Sequence, residues 1–296
     1  MQALWMLLGA FFFATMGVCI KFASNDFNSF EIVTYRGLVG IIFMWFYVRH
    51  RGVSLHTRVP MMHAWRSLVG SVAMTSWFFA ISALPLATAM TLNYMSSVWI
   101  ATFLIGGAIL LQRRGQPILR QGPLFLTVLA GFAGVAMMLR PTLAPNQLLG
   151  GLVGLFSGLL SALAYLQVAA LAKVGEPESR TVFYFSVGTT ITGGIGMAFA
   201  GATPWHWPQA LWLLPIGLLA VLGQLCMTRA YTRGGTMVVA NLQYSGIVFA
   251  GIYGITIFGD QLPLIGWLGM ALIVLSGVAA TALRTREVPS APGEEH

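Results

Sequence analysis

The chain has 296 residues, of which 57% are hydrophobic and only 8% charged, with a mean hydropathy of +0.79. A soluble domain carries about 25% charged residues, so this chain has too little polar surface to face water. At about 20 apolar residues per bilayer crossing, its length holds roughly ten helices and leaves no room for a soluble catalytic domain. The net charge of +8 does not point to a nucleic-acid partner, because the basic residues fall in short clusters between apolar runs, as in membrane loops. Cys19 and Cys226 lie inside apolar runs without CxxC spacing. They read as packing residues, and neither disulfide, metal nor other cofactor is implied.

In chain order the apolar runs span 3–22, 30–48, 65–84, 86–110, 123–140, 149–172, 179–200, 210–232, 236–258 and 262–283. The first has no basic segment ahead of it and the second follows at once, so it reads as a helix and not a cleaved signal peptide. Breakers separate the runs: Asn25-Asp26, Gln112-Arg113-Arg114-Gly115, Pro117, Arg140-Pro141, Pro145 and Pro208. The tail from Arg284 is polar with two prolines and is expected to be disordered. With the N-terminus placed in the cytoplasm, 13 basic residues (Arg66 among them) fall on the inner side. Three, Lys21, Arg36 and Arg140, fall on the outer side. Positive charge stays inside, so a multi-pass protein of the inner (plasma) membrane with both termini cytoplasmic is expected.

The two halves repeat. Leu7-Leu8-Gly9-Ala10 and Lys21 match Leu159-Leu160-Ser161-Ala162 and Lys173 at an offset of 152. Glu31 and Thr34 match Glu178 and Thr181 at 147, and Gly134-Val135-Ala136 matches Gly277-Val278-Ala279 at 143. Between them, Ala80, Leu92, Tyr94 and Val98 match Ala230, Leu242, Tyr244 and Val248 at 150. Five helices is an odd number, so the second repeat enters the membrane inverted relative to the first. The expected fold is therefore all-α integral membrane, ten transmembrane helices as two inverted-topology five-helix repeats. The first repeat is residues 1–145, the second 146–283, and the tail 284–296. Inverted repeats place a substrate site near the midplane, where rocking of the halves gives alternating access.

The end of run three (Ala80 to Pro85), the polar fourth run and Phe258-Gly259-Asp260-Gln261-Leu262 with Gly266 and Gly277 carry a family likeness. The chain resembles the drug/metabolite transporter superfamily in its ten-helix form, built from two EamA-type repeats. That family usually shows Gly-Glu where this chain has Gly259-Asp260, and the equivalent loop of the first half has basic Arg113-Arg114 instead. The resemblance implies a carrier of small metabolites, commonly amino acids and related compounds and often outward. It also implies a central cavity lined mainly by helices 1, 3, 4, 6, 8 and 9.

Candidate substrate-binding residues follow. On run four, Met90, Asn93 and Ser97 are spaced by three and four and share a face, flanked by Thr91 and Tyr94. On run nine, Asn241, Tyr244 and Val248 share a face beside Gln243. Amides and hydroxyls donate and accept, which suits a zwitterion. Trp77, Trp99, Tyr165 and Phe11 are candidate aromatic walls, and Gln167 and Gln224 are single amides in runs six and eight. The competing reading makes these polar groups ties between helices. No Asp or Glu lies inside a run and all five histidines lie outside the cores, so a proton-coupling site, which usually needs such a group in the membrane, is not expected. Arg36 is read as snorkelling or pairing with Glu31, with a substrate-carboxylate role the lesser reading. Arg229 is the basic residue nearest a cavity helix, and Lys21 and Lys173 are interface anchors.

A membrane-embedded enzyme would need a nucleophile with a base, or metal ligands, which the runs lack. A structural membrane protein would not need an inverted repeat. The leading expectation is a secondary carrier exporting amino acids or amino-acid-derived metabolites, metallophore-like compounds included, and sufficient as a monomer. The runner-up is an importer or exchanger of another small metabolite, such as a vitamin-like, nucleotide-sugar-like or cationic compound.

Overall fold

The computed structural model describes residues 4–100, 102–103, 126–127, 129–131, 133–134, 137, 147–205, 207–233, 239 and 242–287. Helices dominate and no strand occurs among them. The helices are α1 (Leu4–Ala23), α2 (Ser29–His50), α3 (Pro60–Ala83), α4 (Leu86–Tyr94), α5 (Leu148–Lys173), α6 (Glu178–Ala200), α7 (Leu213–Arg233), α8 (Ser245–Phe258) and α9 (Leu264–Glu287). Thus α1 to α4 are runs one to four, and α5 to α9 are runs six to ten. A short 3₁₀ turn, Gln209–Trp212, leads into α7.

Local chemistry sets the ends. Asn28 and Glu31 form a reciprocal capping box at the start of α2, which satisfies two of the orphan amides there. Pro60 opens α3 at a position where its missing N–H is not needed. Gly259, at φ 65° in the left-handed region, stops α8.

Three expectations change. Run three begins earlier, at Pro60, and brings His63 into a buried first turn. Run ten stays helical to Glu287, past the expected start of the tail at 284. Runs four and nine are interrupted: the helix breaks for one residue at Met95, and again at Tyr244.

The principal packings are α2 on α6, α3 on α5 and α1 on α7. Next come α3 on α6 and α2 on α7, then α1 on α8, α4 on α5 and α4 on α8. One core of Met, Phe, Ile and Leu side chains, with Phe78, Met16, Ile20 and Met90 fully buried, fills the space between them. The outside is apolar too. Ile42, Phe46, Leu68, Val72, Ile191, Ile195, Ile252 and Ile255 are exposed, which a water-facing surface of this extent would not tolerate. Five stretches are long and apolar enough to cross a membrane: α1, α2, α5, α6 and Gln209–Thr232. The chain is a multi-pass membrane protein.

Candidate functional site

The centre of the bundle is built on the approach of α5 to the break in α4. Asn93 Nδ2 donates to Ser157 Oγ and Ser161 Oγ, each at 3.1 Å. The contact is close because Gly158 has no side chain: a Cβ there would lie 2.5 Å from the Leu92 carbonyl oxygen. From the other side α8 reaches the same level. A Cβ on Gly246 would lie 2.5 Å from Tyr94 Oη, so the Tyr94 hydroxyl rests against the α8 backbone just beyond its own break.

Beside this clasp lies a cavity of about 40 Å³. One face of α3 supplies Arg66, Gly70, Ala73, Met74 and Trp77, at helical steps of three and four. Asn93 and Tyr94 come from α4, and Ser161, Ala164 and Tyr165 from α5. Phe13, Phe185 and Gln224 complete the wall from α1, α6 and α7. A water needs roughly 10–15 Å³ of such space, so the cavity holds about three. That is too little for a metabolite, which fits only if helices part.

The dominant charge in this wall is Arg66. It is 3% exposed, and its guanidinium lies 4.0 Å from the centre of the Phe185 ring. Arg36, also buried, stands 5.4 Å from the same ring. Gly70 leaves the gap that Arg66 fills, because a Cβ there would collide with Arg66 Nη1 and sit 2.8 Å from Phe185.

Among the expected site residues, Trp77, Asn93, Tyr94, Tyr165 and Gln224 meet in this cavity. Gln243 stands one layer behind. Its Nε2 donates to Tyr165 Oη at 3.3 Å and its Oε1 accepts from Tyr231 Oη at 3.2 Å, while the two tyrosine rings stack at 5.7 Å. Gln243 therefore orients Tyr165. Tyr244 is buried and Ser97 partly buried, but neither is in the wall. Thr91 donates to its own helix at Ala87 O. Arg229 lies over Trp5, 4.6 Å from the ring centre, away from the cavity. Asn241 lies outside the described residues. Val248 is 63% exposed, since the break at Tyr244 ends the helical register that put it on a shared face. Phe11 is exposed and packs edge-on against Phe249.

Sequence reasoning missed Arg66, Ser161, Phe13 and Phe185. Arg66 was counted with the cytoplasmic loop, although its spacing from Gly70, Ala73, Met74 and Trp77 marks one helix face. Arg36 does not pair with Glu31, whose oxygens are taken by the Asn28 and Thr203 amides and the Thr203 hydroxyl. Helix α6 contributes to the wall through Phe185, and no described residue of α8 lines it.

Residues 1–140 match the EamA-like transporter family. The chain is 29% identical over 283 residues to the pseudopaline exporter of Pseudomonas aeruginosa, covering 92% of this chain and 93% of that protein. The chain is a membrane transporter of small molecules, similar over its first half to the EamA-like family. It is also 26% identical to a riboflavin transporter of Rhizobium johnstonii, covering 92% and 88% of the two chains. An S-adenosylmethionine uptake transporter of Rickettsia bellii is 23% identical, covering 86% and 84%. A solved crystal structure, 18% identical, superposes with a TM-score of 0.66 over 97% of this chain and 99% of its own, a likeness of fold alone.

Polar links join neighbouring segments at both ends of α3. At the start of α3, Glu176 accepts from Thr57 Oγ1 at 2.8 Å and Arg180 Nη1 at 3.0 Å, and lies 3.1 Å from His63 Nε2. Burial alone would raise its carboxyl; the hydrogen bonds from Thr57, His63 and Arg180, and the Arg180 charge, outweigh it and hold the group below its ordinary 4.5. At the far end of α3, Lys21 Nζ donates to Leu84 O at 2.9 Å and lies 3.9 Å from Asp260 Oδ1. Asp260 Oδ2 accepts the Leu86 N–H at 3.2 Å, supplying the cap that Pro85 cannot give α4. Lys21 is thus a link between helices more than an interface anchor.

Proposed function

We propose that this transporter is a secondary carrier working by alternating access, with the central cavity as its substrate site. The observation that carries this is a small central space where α1, α3, α4, α5, α6 and α7 meet, its largely apolar wall holding Arg66, Asn93, Tyr94, Ser161, Tyr165 and Gln224. The substrate we infer is a small polar metabolite, an amino acid or amino-acid-derived compound, metallophore-like ones included, moved outward across the inner membrane. The pseudopaline exporter favours export. The riboflavin and S-adenosylmethionine transporters favour a second reading, import or exchange of another small metabolite. The family and the relatives' names speak for transport and not catalysis.

We take the scaffold to be ten helices in two inverted five-helix repeats. The packings support this. Exchanging each helix of the first half with its counterpart turns α1 on α7 into α5 on α3, α2 on α7 into α6 on α3, and α1 on α8 into α5 on α4. Packings α2 on α6 and α4 on α8 map onto themselves. For orientation, setting aside the buried Arg66 and Arg36 leaves the basic residues divided twelve to two, which favours cytoplasmic termini. No described residue of the cavity wall is acidic, so we expect flux down a substrate gradient without a pH gradient.

The test is counterflow in proteoliposomes loaded with an amino-acid panel, riboflavin or S-adenosylmethionine. Gln224→Ala and Tyr94→Ala should cut the flux of whichever compound moves, with protein yield kept. Wild-type flux in both variants would remove the cavity from the pathway, and concentrative flux from a pH step alone would reveal a coupling group.

A further inference from the structure

We propose that Arg66 is a carboxylate anchor: it pairs with an anionic group of the substrate, which thereby becomes the counter-ion that the fold itself omits. The inference rests on the cavity being the substrate site.

Arg66 Nε and Nη1 are buried without a hydrogen-bond partner. The ion pairs among the described residues are Lys21–Asp260, His63–Glu176 and Arg180–Glu176, and none reaches Arg66. Glu31, Glu176 and Asp260 are committed to Thr203, to Thr57 with Arg180, and to Leu86. Phe185 gives Arg66 a ring face, which offsets only a small part of the loss of hydration. Arg36, near the same ring with its own Nε unpartnered, adds positive potential and relieves none. A buried unpaired cation is costly, and ionisable groups at membrane depth are kept for function.

The cavity supplies the rest of a binding site for such an anion. A guanidinium presents a fork of donors that matches a carboxylate bidentately. Tyr94 Oη, also without a partner, and the Gln224 amide can receive an amino or hydroxyl group on the same ligand. Trp77 offers an apolar wall. A neutral ligand would leave the Arg66 charge uncompensated, so carboxylates should be preferred over their amides.

The experiment titrates purified full-length protein in detergent with the standard amino acids and with the carboxamide of each, following melting temperature and tryptophan fluorescence. Wild type should bind its best amino acid at least tenfold more tightly than the matching carboxamide. Arg66→Gln should bring the acid down to the level of the amide, without lowering the melting temperature of the ligand-free protein. Arg66→Lys should keep part of the preference, and Gln224→Ala should weaken acid and amide alike. The anchor is overturned if wild type binds acid and amide equally or binds no amino acid, if Arg66→Gln keeps the preference, or if Arg66→Gln melts lower without ligand. Should only Gln224→Ala weaken binding, the cavity stands and the anchor falls. Should neither variant change binding or flux, the cavity reading beneath it fails as well.

Discussion

Gly158→Ala tests the clasp on which the cavity wall is built. The added Cβ would lie 2.5 Å from the Leu92 carbonyl oxygen and 3.1 Å from that of Asn93. An ordinary C···O contact is about 3.3–3.6 Å, and both neighbours are backbone, so α4 and α5 must separate. Overpacking of this kind costs about 1–3 kcal/mol. Separation also stretches the two Asn93 bonds to Ser157 and Ser161, each contributing roughly 1 kcal/mol. Against this stands a gain of up to about 1 kcal/mol from replacing a mid-helix glycine. The net loss of about 2–4 kcal/mol corresponds to a fall of roughly 4–16 °C in melting temperature. Gly194, in α6, is the control: a Cβ there meets nothing within 4 Å, so Gly194→Ala should leave the melting temperature unchanged or raise it. Thermal melts in detergent, followed by tryptophan fluorescence, decide the matter. Equal stability of Gly158→Ala and wild type, or an equal fall in Gly194→Ala, would refute the packing argument.

The contact between Tyr94 and α8 predicts that Gly246→Ala lowers stability, and that part of the loss is recovered in a Tyr94→Phe background; a double-mutant cycle with no coupling would count against that contact. For Glu176, whose folded carboxyl is held below 4.5, the stabilisation is fully present above that value and is lost as pH falls through the folded one. Glu176→Gln should therefore melt below wild type at neutral pH, with the gap closing in acid; a gap independent of pH would show that the charge is not what matters. At the opposite end, Asp260→Asn keeps an oxygen for the Leu86 amide and should cost less than Asp260→Ala, which loses a cap of about 1 kcal/mol; equal melting temperatures would assign the effect to the ion pair with Lys21.

Nine of the ten expected runs appear as helices among the described residues because length and breakers alone define apolar runs; α1, α5 and α6 fall within a residue or two of their expected bounds. Asn93, Tyr94, Trp77, Tyr165 and Gln224 stood out as polar or aromatic residues in apolar runs, and they meet in the cavity wall. Arg66 was not, because a basic residue at the edge of an apolar run looks like a loop charge until the helix is known to begin at Pro60. Val248 misled for a related reason, since periodicity carries over only where the helix is continuous. The link from Gln243 to Tyr165 and Tyr231 joins three helices, and no local spacing encodes it.

The same distribution of contacts argues for where movement occurs. Helix α3, with 24 residues, spans about 36 Å, and the links at its two ends are polar and short. Hydrogen bonds of this kind exchange for water at a net cost of roughly 0.5–1.5 kcal/mol each, so these links are the less costly ones to part. The middle is different. There the α5 backbone touches the α4 carbonyls at Gly158, the Tyr94 hydroxyl lies on Gly246, and Asn93 holds two buried serines. Breaking those contacts would leave buried polar groups unsatisfied, at about 1–3 kcal/mol apiece. On the alternating-access reading proposed above, the level of the two helix breaks is the pivot and the ends are the gates. A cation lodged near that pivot stays within reach of a ligand entering from either side.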